Sequence, residues 1–197
     1  MIDRGVERAL TDPQSRRQSR DSHWFVRYAV AEATEAIGVP MPFQRAALAR
    51  RVNLFAPPRP HDDAMRAEML AHVVMWRTGM GREPYALERD ELEGLACAVA
   101  PWCDKLVDAG EWDALIELAI ATSCARLAEP PNLWPSILSA QRADGSLPVR
   151  RKAGSDFDSS YHATLVAVIA ARLAEESATR AASKLARSAQ AFSAYAD

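Results

Sequence analysis

The chain carries four histidines, and His162 stands in the most reactive company. Tyr161, Thr164, Asp156 and Asp158 lie within a few residues, and the basic run Arg150, Arg151 and Lys152 comes just before them. A histidine beside a carboxylate can work as a general acid or base, with the carboxylate orienting the ring. The acids also mark the start of a helix, an end that favours anions, and the basic run adds to that. His162, Asp158, Asp156 and Tyr161 are therefore the expected catalytic group. Arg150, Arg151 and Thr164 are expected on the substrate side, with an acidic or phosphorylated small molecule as the ligand. The plainer reading of the same residues is a capped helix with one structurally bonded histidine. A second stripe, Met65, Met69, His72, Val73 and Trp76, has helical spacing. It is either a core face or a pocket wall in which Met69 and Trp76 offer adaptable apolar surface and His72 a proton carrier.

Other chemistries find less support. His23, His61, His72 and His162 share no metal-ligand spacing, so no metal site is expected. The chain has no nucleophile-elbow motif, and its eight glycines are scattered rather than gathered in a phosphate-binding loop. No cofactor is expected.

The elements that position these residues read as helices throughout. Alternating apolar and polar runs are absent, and Ala, Leu, Glu and Arg dominate. After a polar arm over residues 1–20, helices are expected from Asp21 or Ser22 to Ile37 and over Pro42 to Phe55, followed by the stiff break of Pro57, Pro58 and Pro60. A third runs from Asp62 or Asp63, which cap it, to about Gly79. A fourth spans Leu87 to Ala109 with a bend at Pro101, and a fifth, strongly apolar, spans Glu111 to Glu129.

The stretch from Leu133 to Leu173 organises the rest. A short helix over Trp134 to Gln141 stops at Asp144-Gly145-Ser146. A charged loop follows, and then a helix with His162, Val166, Ile169 and Leu173 on one face, Tyr161, Leu165 and Val168 on the next, and alanines elsewhere. Such a helix is expected to be surrounded by others. Residues 176–197 form a separate, peripheral C-terminal helix. The expectation is one all-α domain of about eight helices in helical hairpins.

Gln141, Asp144, Gly145 and Ser146, then Tyr161, His162, Thr164, Leu165 and Ala167, resemble one repeat of the α/α-toroid proteins. These include triterpene cyclases and protein prenyltransferase β-subunits, and the resemblance covers residues 111–173. It implies an arc or ring of helical hairpins, structural roles for Gln141 and Asp144, and a link to specialised biosynthesis of bacterial type. The aromatic residue after D-G-S is replaced by Leu147. The D-x-D-D motif and the zinc set of those families are absent, so their chemistry is not implied.

Composition bounds the partners. The apolar fraction is 49% and the net charge −2, which suits a globular protein and argues against non-specific nucleic-acid binding. No stretch is apolar for long enough to span a membrane, and no signal peptide is expected at Met1. Three cysteines without C-x-x-C pairs read as buried, reduced thiols, as in a cytoplasmic protein. Two functions fit. One is a small helical enzyme acting on an apolar or acidic small molecule in a cavity lined by Met69, His72, Trp76 and His162. The other is a non-catalytic interaction protein, forming a homodimer through its C-terminal helix.

Overall fold

The computed structural model describes residues 64–83 and 87–193, all within the unit Phe55–Asp197. The arm over residues 1–20, the helices expected before Pro57, and His23 and His61 lie outside the described residues. Five helices occur among the described residues: α1 Ala64–Arg77, α2 Arg89–Ala109, α3 Trp112–Cys124, α4 Leu133–Ser139 and α5 Tyr161–Ser193. The described residues contain no strand. No described helix is long and apolar enough to cross a membrane.

The core is built round α3. Its sequence, WDALIELAIATSC, is apolar on every side, and twelve of its thirteen residues are buried. The other four helices all pack against it. Leu70, Val73 and Val74 of α1, Leu95, Trp102 and Leu106 of α2, and Leu133 and Ile137 of α4 supply the surrounding core. A helix apolar all round is stable only when neighbours enclose it, and this one is enclosed.

Local chemistry sets the helix ends. Glu88 and Glu91 form a reciprocal capping box at the start of α2. Pro101 lies within α2 without ending it, since Pro101 and the Cys97 whose carbonyl it releases both face solvent. Gly110 then closes α2 at φ 71°. The fifth helix was expected to reach Glu129 but stops at Cys124. Arg126 takes a left-handed φ of 56°, its N–H bonds to the Ser123 carbonyl, and the Leu127 N–H bonds to that of Thr122. That is a Schellman closure with arginine in the usual glycine place.

Two further expectations change. The helix after the charged loop and the separate C-terminal helix are one continuous element, α5, because nothing between Leu173 and Ser193 breaks a helix. Nor is α5 enclosed on all sides. Ala163 and Ala170 are fully buried, whereas Tyr161, Leu165 and Val168 are exposed. Small residues allow close approach on the packed side, and the larger apolar ones point away. Of the thiols, Cys103 and Cys124 are buried, and burial pushes both pKa values up to about 11. Cys97, expected inside, is exposed.

The loop before α5 latches the starts of α3 and α5 together. The Asp113 N–H at the head of α3 donates to the Val149 carbonyl at 3.0 Å, and the Val149 N–H donates to Ser159 at 3.0 Å. The Leu147 N–H donates to Thr164 Oγ1 of α5 at 2.9 Å. Arg151 pins the other side. Its N–H donates to the Gly110 carbonyl at 2.7 Å, its guanidinium donates to the Val107 carbonyl at 2.9 Å, and it lies over the Trp112 ring. Gln141 and Asp144 close their own turn: Gln141 donates to the Gly145 carbonyl, and Asp144 accepts from the Ser146 N–H and hydroxyl.

A Cβ at Gly110 would sit 2.6 Å from Arg151 Cβ and 2.9 Å from Nε, in a left-handed conformation that already costs a non-glycine residue about 1–2 kcal/mol. Gly110→Ala is expected to lower the unfolding free energy by at least that amount in urea titration, through loss of this junction.

Candidate functional site

Where α1, α3 and α5 meet, two histidines and three acids converge. His162, in the first turn of α5, places Nδ1 2.9 Å from both carboxylate oxygens of Asp113. Asp113 is in the first turn of α3, and Glu117 follows one turn later on the same face. From α1, His72 places Nδ1 3.1 Å from Glu117 Oε2. Glu68 lies one turn before His72 and accepts at its backbone carbonyl from the same nitrogen at 2.9 Å. The ligand atoms of Asp113, Glu117 and His162 all lie within 4.8 Å of one another. The helix α3 is thus a floor carrying the carboxylates, with a histidine standing on either side.

Burial is graded across this group. The Glu117 side chain is 4% exposed, Asp113 20%, His72 33% and His162 43%. The carboxylates lie beneath and the imidazoles reach solvent. With Nδ1–H held by Asp113, the basic nitrogen of a neutral His162 is Nε2. The single Nδ1 proton of His72 cannot serve both the Glu68 carbonyl and Glu117. The shorter contact with the carbonyl has hydrogen-bond geometry. Glu117 Oε2, fully out of solvent, is then left with an imidazole at ion-pair distance but no directed hydrogen bond.

The electrostatics follow from three acids in one place. Burial first, then the charges of Glu117 and Asp113, push the Glu68 carboxyl up to about 7. Burial works against a protonated His72, but the close contact with Glu117, the charge it carries and the Glu68 carbonyl outweigh it and hold its pKa above the ordinary value.

The remaining expected site residues fall as follows. Trp76 packs on the His72 ring with centroids 5.3 Å apart, and Met69 of the same helix is buried. Tyr161 stacks on Phe157 at 4.9 Å and meets His162 edge-on. Thr164 donates to the Ser160 carbonyl and accepts from Leu147, a structural use of its hydroxyl. Asp156 accepts from the N–H and hydroxyl of Ser159 and so closes the turn before α5, and Asp158 is exposed in that turn. The carboxylate on His162 is Asp113's, from 49 residues upstream, rather than either of these. Arg151 is spent on the junction of α2 and α3, and Arg150 and Lys152 lie on the surface. An open depression framed by Arg172, Glu175, Glu176, Thr179 and Arg180 is a solvated ion-pair face that begins about 15 Å beyond His162 along α5 at its rise per residue.

Asp113 and Glu117 went unread as chemistry in the sequence. One signal was present. Glu117 sits between Ile116 and Leu118 in a helix apolar on all sides, where an acid has to be buried and has to find a partner.

Fold and cluster together define, among the described residues, a helical protein with a histidine–carboxylate centre. The chain belongs to the family described as a domain of unknown function, DUF6895, whose model matches residues 2–172, a span that holds the whole cluster. No curated protein and no solved structure matches the chain.

The raised pKa values give a signed pH dependence. Between 4.5 and about 7 the folded state keeps the Glu68 proton that the unfolded chain releases, so stability falls as pH rises through that window. His72, raised above 6.5, contributes stability that is full below that value and lost as pH rises through its folded pKa, in the same direction. Glu68→Gln is expected to flatten the fall in the urea midpoint across this window and leave the later His72 part in place.

Proposed function

We propose that the chain is a small helical enzyme whose reaction centre is the cluster of Glu68, His72, Asp113, Glu117 and His162, acting on a small molecule that carries an acidic or carbonyl oxygen. One observation carries this reading. Glu117, an acid 3% exposed in the most enclosed helix, is set between histidines from two other helices. A leucine there would pack more cheaply, and costly buried charges gather where chemistry needs them. Carboxylates beneath and imidazoles above is the arrangement by which an acid orients a histidine toward a substrate. Trp76 beside His72, and Tyr161 with Phe157 beside His162, provide apolar surface at both ends for the body of such a molecule. The toroid-like arc of hairpins belongs to this reading through the resemblance of residues 111–173 to one α/α-toroid repeat.

A second reading has its own support. Phe157, Tyr161, Leu165 and Val168 make an exposed apolar stripe at the start of α5. A second copy of the chain is the partner it would suit, and Leu165→Lys would then convert a dimer to a monomer in sedimentation.

The first reading is tested by melting the purified chain against a panel of small carboxylic acids, phosphate esters and lactones. A ligand that binds only the folded state raises the Tm, by an amount that grows with its concentration. A hit is expected for the wild type and is expected to vanish in a folded His162→Ala. A panel without hits, together with a His162→Ala that is merely less stable, would remove the enzyme reading.

A further inference from the structure

We infer that Asp113, Glu117 and His162 form a binding site for one divalent cation of the zinc class. This rests on the reading of the cluster as a working centre and adds to it the species that the centre holds. The three side chains come from two helices and present two carboxylates and one imidazole, with ligand atoms all within 4.8 Å of one another. An ion bound at about 2.0–2.2 Å by such ligands needs their atoms roughly 3–3.5 Å apart in a tetrahedral set, which small side-chain rotations achieve. His162 Nδ1 and both Asp113 oxygens already stand at 2.9 Å. The hydrogen bond between them would give way to the cation.

A second observation points the same way. Glu117 Oε2 is fully out of solvent and has no hydrogen bond, although the residue is 97% removed from water by its 3% exposure. A buried carboxylate oxygen in that state is costly, and in native structures such an oxygen calls for a cation or a donor. His72 stands at 3.1 Å from it with Nδ1 directed elsewhere, so it meets only part of that need. The charge count agrees. Asp113 and Glu117 set two carboxylates against the one imidazole of His162, a ligand set that a divalent ion would neutralise.

The donor set narrows the ion. Imidazole with carboxylates suits first-row divalent cations, whereas magnesium and calcium prefer oxygen donors alone. Three protein ligands leave a coordination position open, the pattern of a catalytic rather than a structural ion. That position would face the side from which His72 and His162 reach solvent. Glu68 and His72 lie next to the ligands, where they would support the site without being needed to bind the ion.

The test uses the full chain, stripped with chelator and titrated with Zn²⁺ by calorimetry, with Co²⁺ absorption as a second readout and Mg²⁺ as the control cation. The expected result is one Zn²⁺ per chain, a tetrahedral Co²⁺ spectrum and no Mg²⁺ binding. Glu117→Gln and Asp113→Asn, both close in shape to the native residues, are each expected to weaken Zn²⁺ by more than about tenfold, and Asp158→Asn to leave it unchanged. Should Glu117→Gln fail to fold, His162→Gln on the more open side of the cluster takes its place. Absence of stoichiometric Zn²⁺ binding, or binding indifferent to these substitutions, overturns the inference. If no ion binds but a small-molecule hit still depends on His162, the ion inference falls and the proposed function stands. An ion bound through these ligands with no small-molecule hit has the opposite meaning.

Discussion

The structure depends on keeping one negative charge inside its most enclosed helix. α3 touches every other described helix, so whatever lies at its middle constrains them all. At that middle stands Glu117. Moving a carboxylate out of water costs several kcal/mol even after the surroundings relax. Part of that cost is recovered by His72, which ties the register of α1 to that of α3. Asp113, one turn earlier on the same face, likewise ties α5 to α3 through His162. The apolar packing of Leu70, Leu115, Ile116 and Ile120 would tolerate small slides of one helix along another. The two histidine contacts would not, because each needs a particular nitrogen opposite a particular oxygen. Polar contacts of this kind add little net stability but can specify a single arrangement.

The loop between α4 and α5 is what makes the second of these contacts repeatable. A histidine in a first turn and an aspartate in another first turn meet only if both helix starts are held. Leu147, Val149 and Arg151 do this with backbone bonds to Thr164, Ser159, Asp113 and Gly110. Two of these bonds, at the Asp113 N–H and the Gly110 carbonyl, also satisfy groups that would otherwise be orphaned at a helix terminus. The basic and acidic residues of this loop thus serve position more than ligand binding. Arg151, Asp156 and Thr164 already have protein partners, and the chemistry they suggest in sequence is carried by residues they help to place.

Much of the architecture was legible from pattern and punctuation. The glycine after α2 and the D-G-S turn after α4 each mark an end close to where it occurs, whereas Asp62 and Asp63, the expected cap of α1, lie outside the described residues. The misjudged ends have physical reasons. Arginine at position 126 adopts a conformation that sequence reading reserves for glycine, so α3 looked longer than it is. α5 looked like two helices because its composition changes near Leu173, yet a change of composition without a breaker does not stop a helix. For the site, His72 and His162 were readable as reactive groups, but their acids were not. Local reasoning assigns a histidine to the nearest carboxylates, here Asp156 and Asp158. Tertiary contact instead supplies Asp113, from a different helix.

The placement of the cluster's side chains also suits the proposed centre. If the histidines were there only to neutralise Glu117 and Asp113, burying them as deeply as the acids would strengthen the attraction, since a charge interaction gains as water is excluded. Both imidazoles are instead placed part-way out, with the acids under them. That placement weakens each pair and leaves ring atoms within reach of solvent. It is a poor solution for stability alone and a good one for a centre that has to meet something arriving from outside. The raised pKa of Glu68 belongs to the same trade. An acid whose proton is held up to about 7 by burial and then by its neighbours lowers the stability of the fold near neutrality, and its position beside His72 is where the proposed centre would use such a cost.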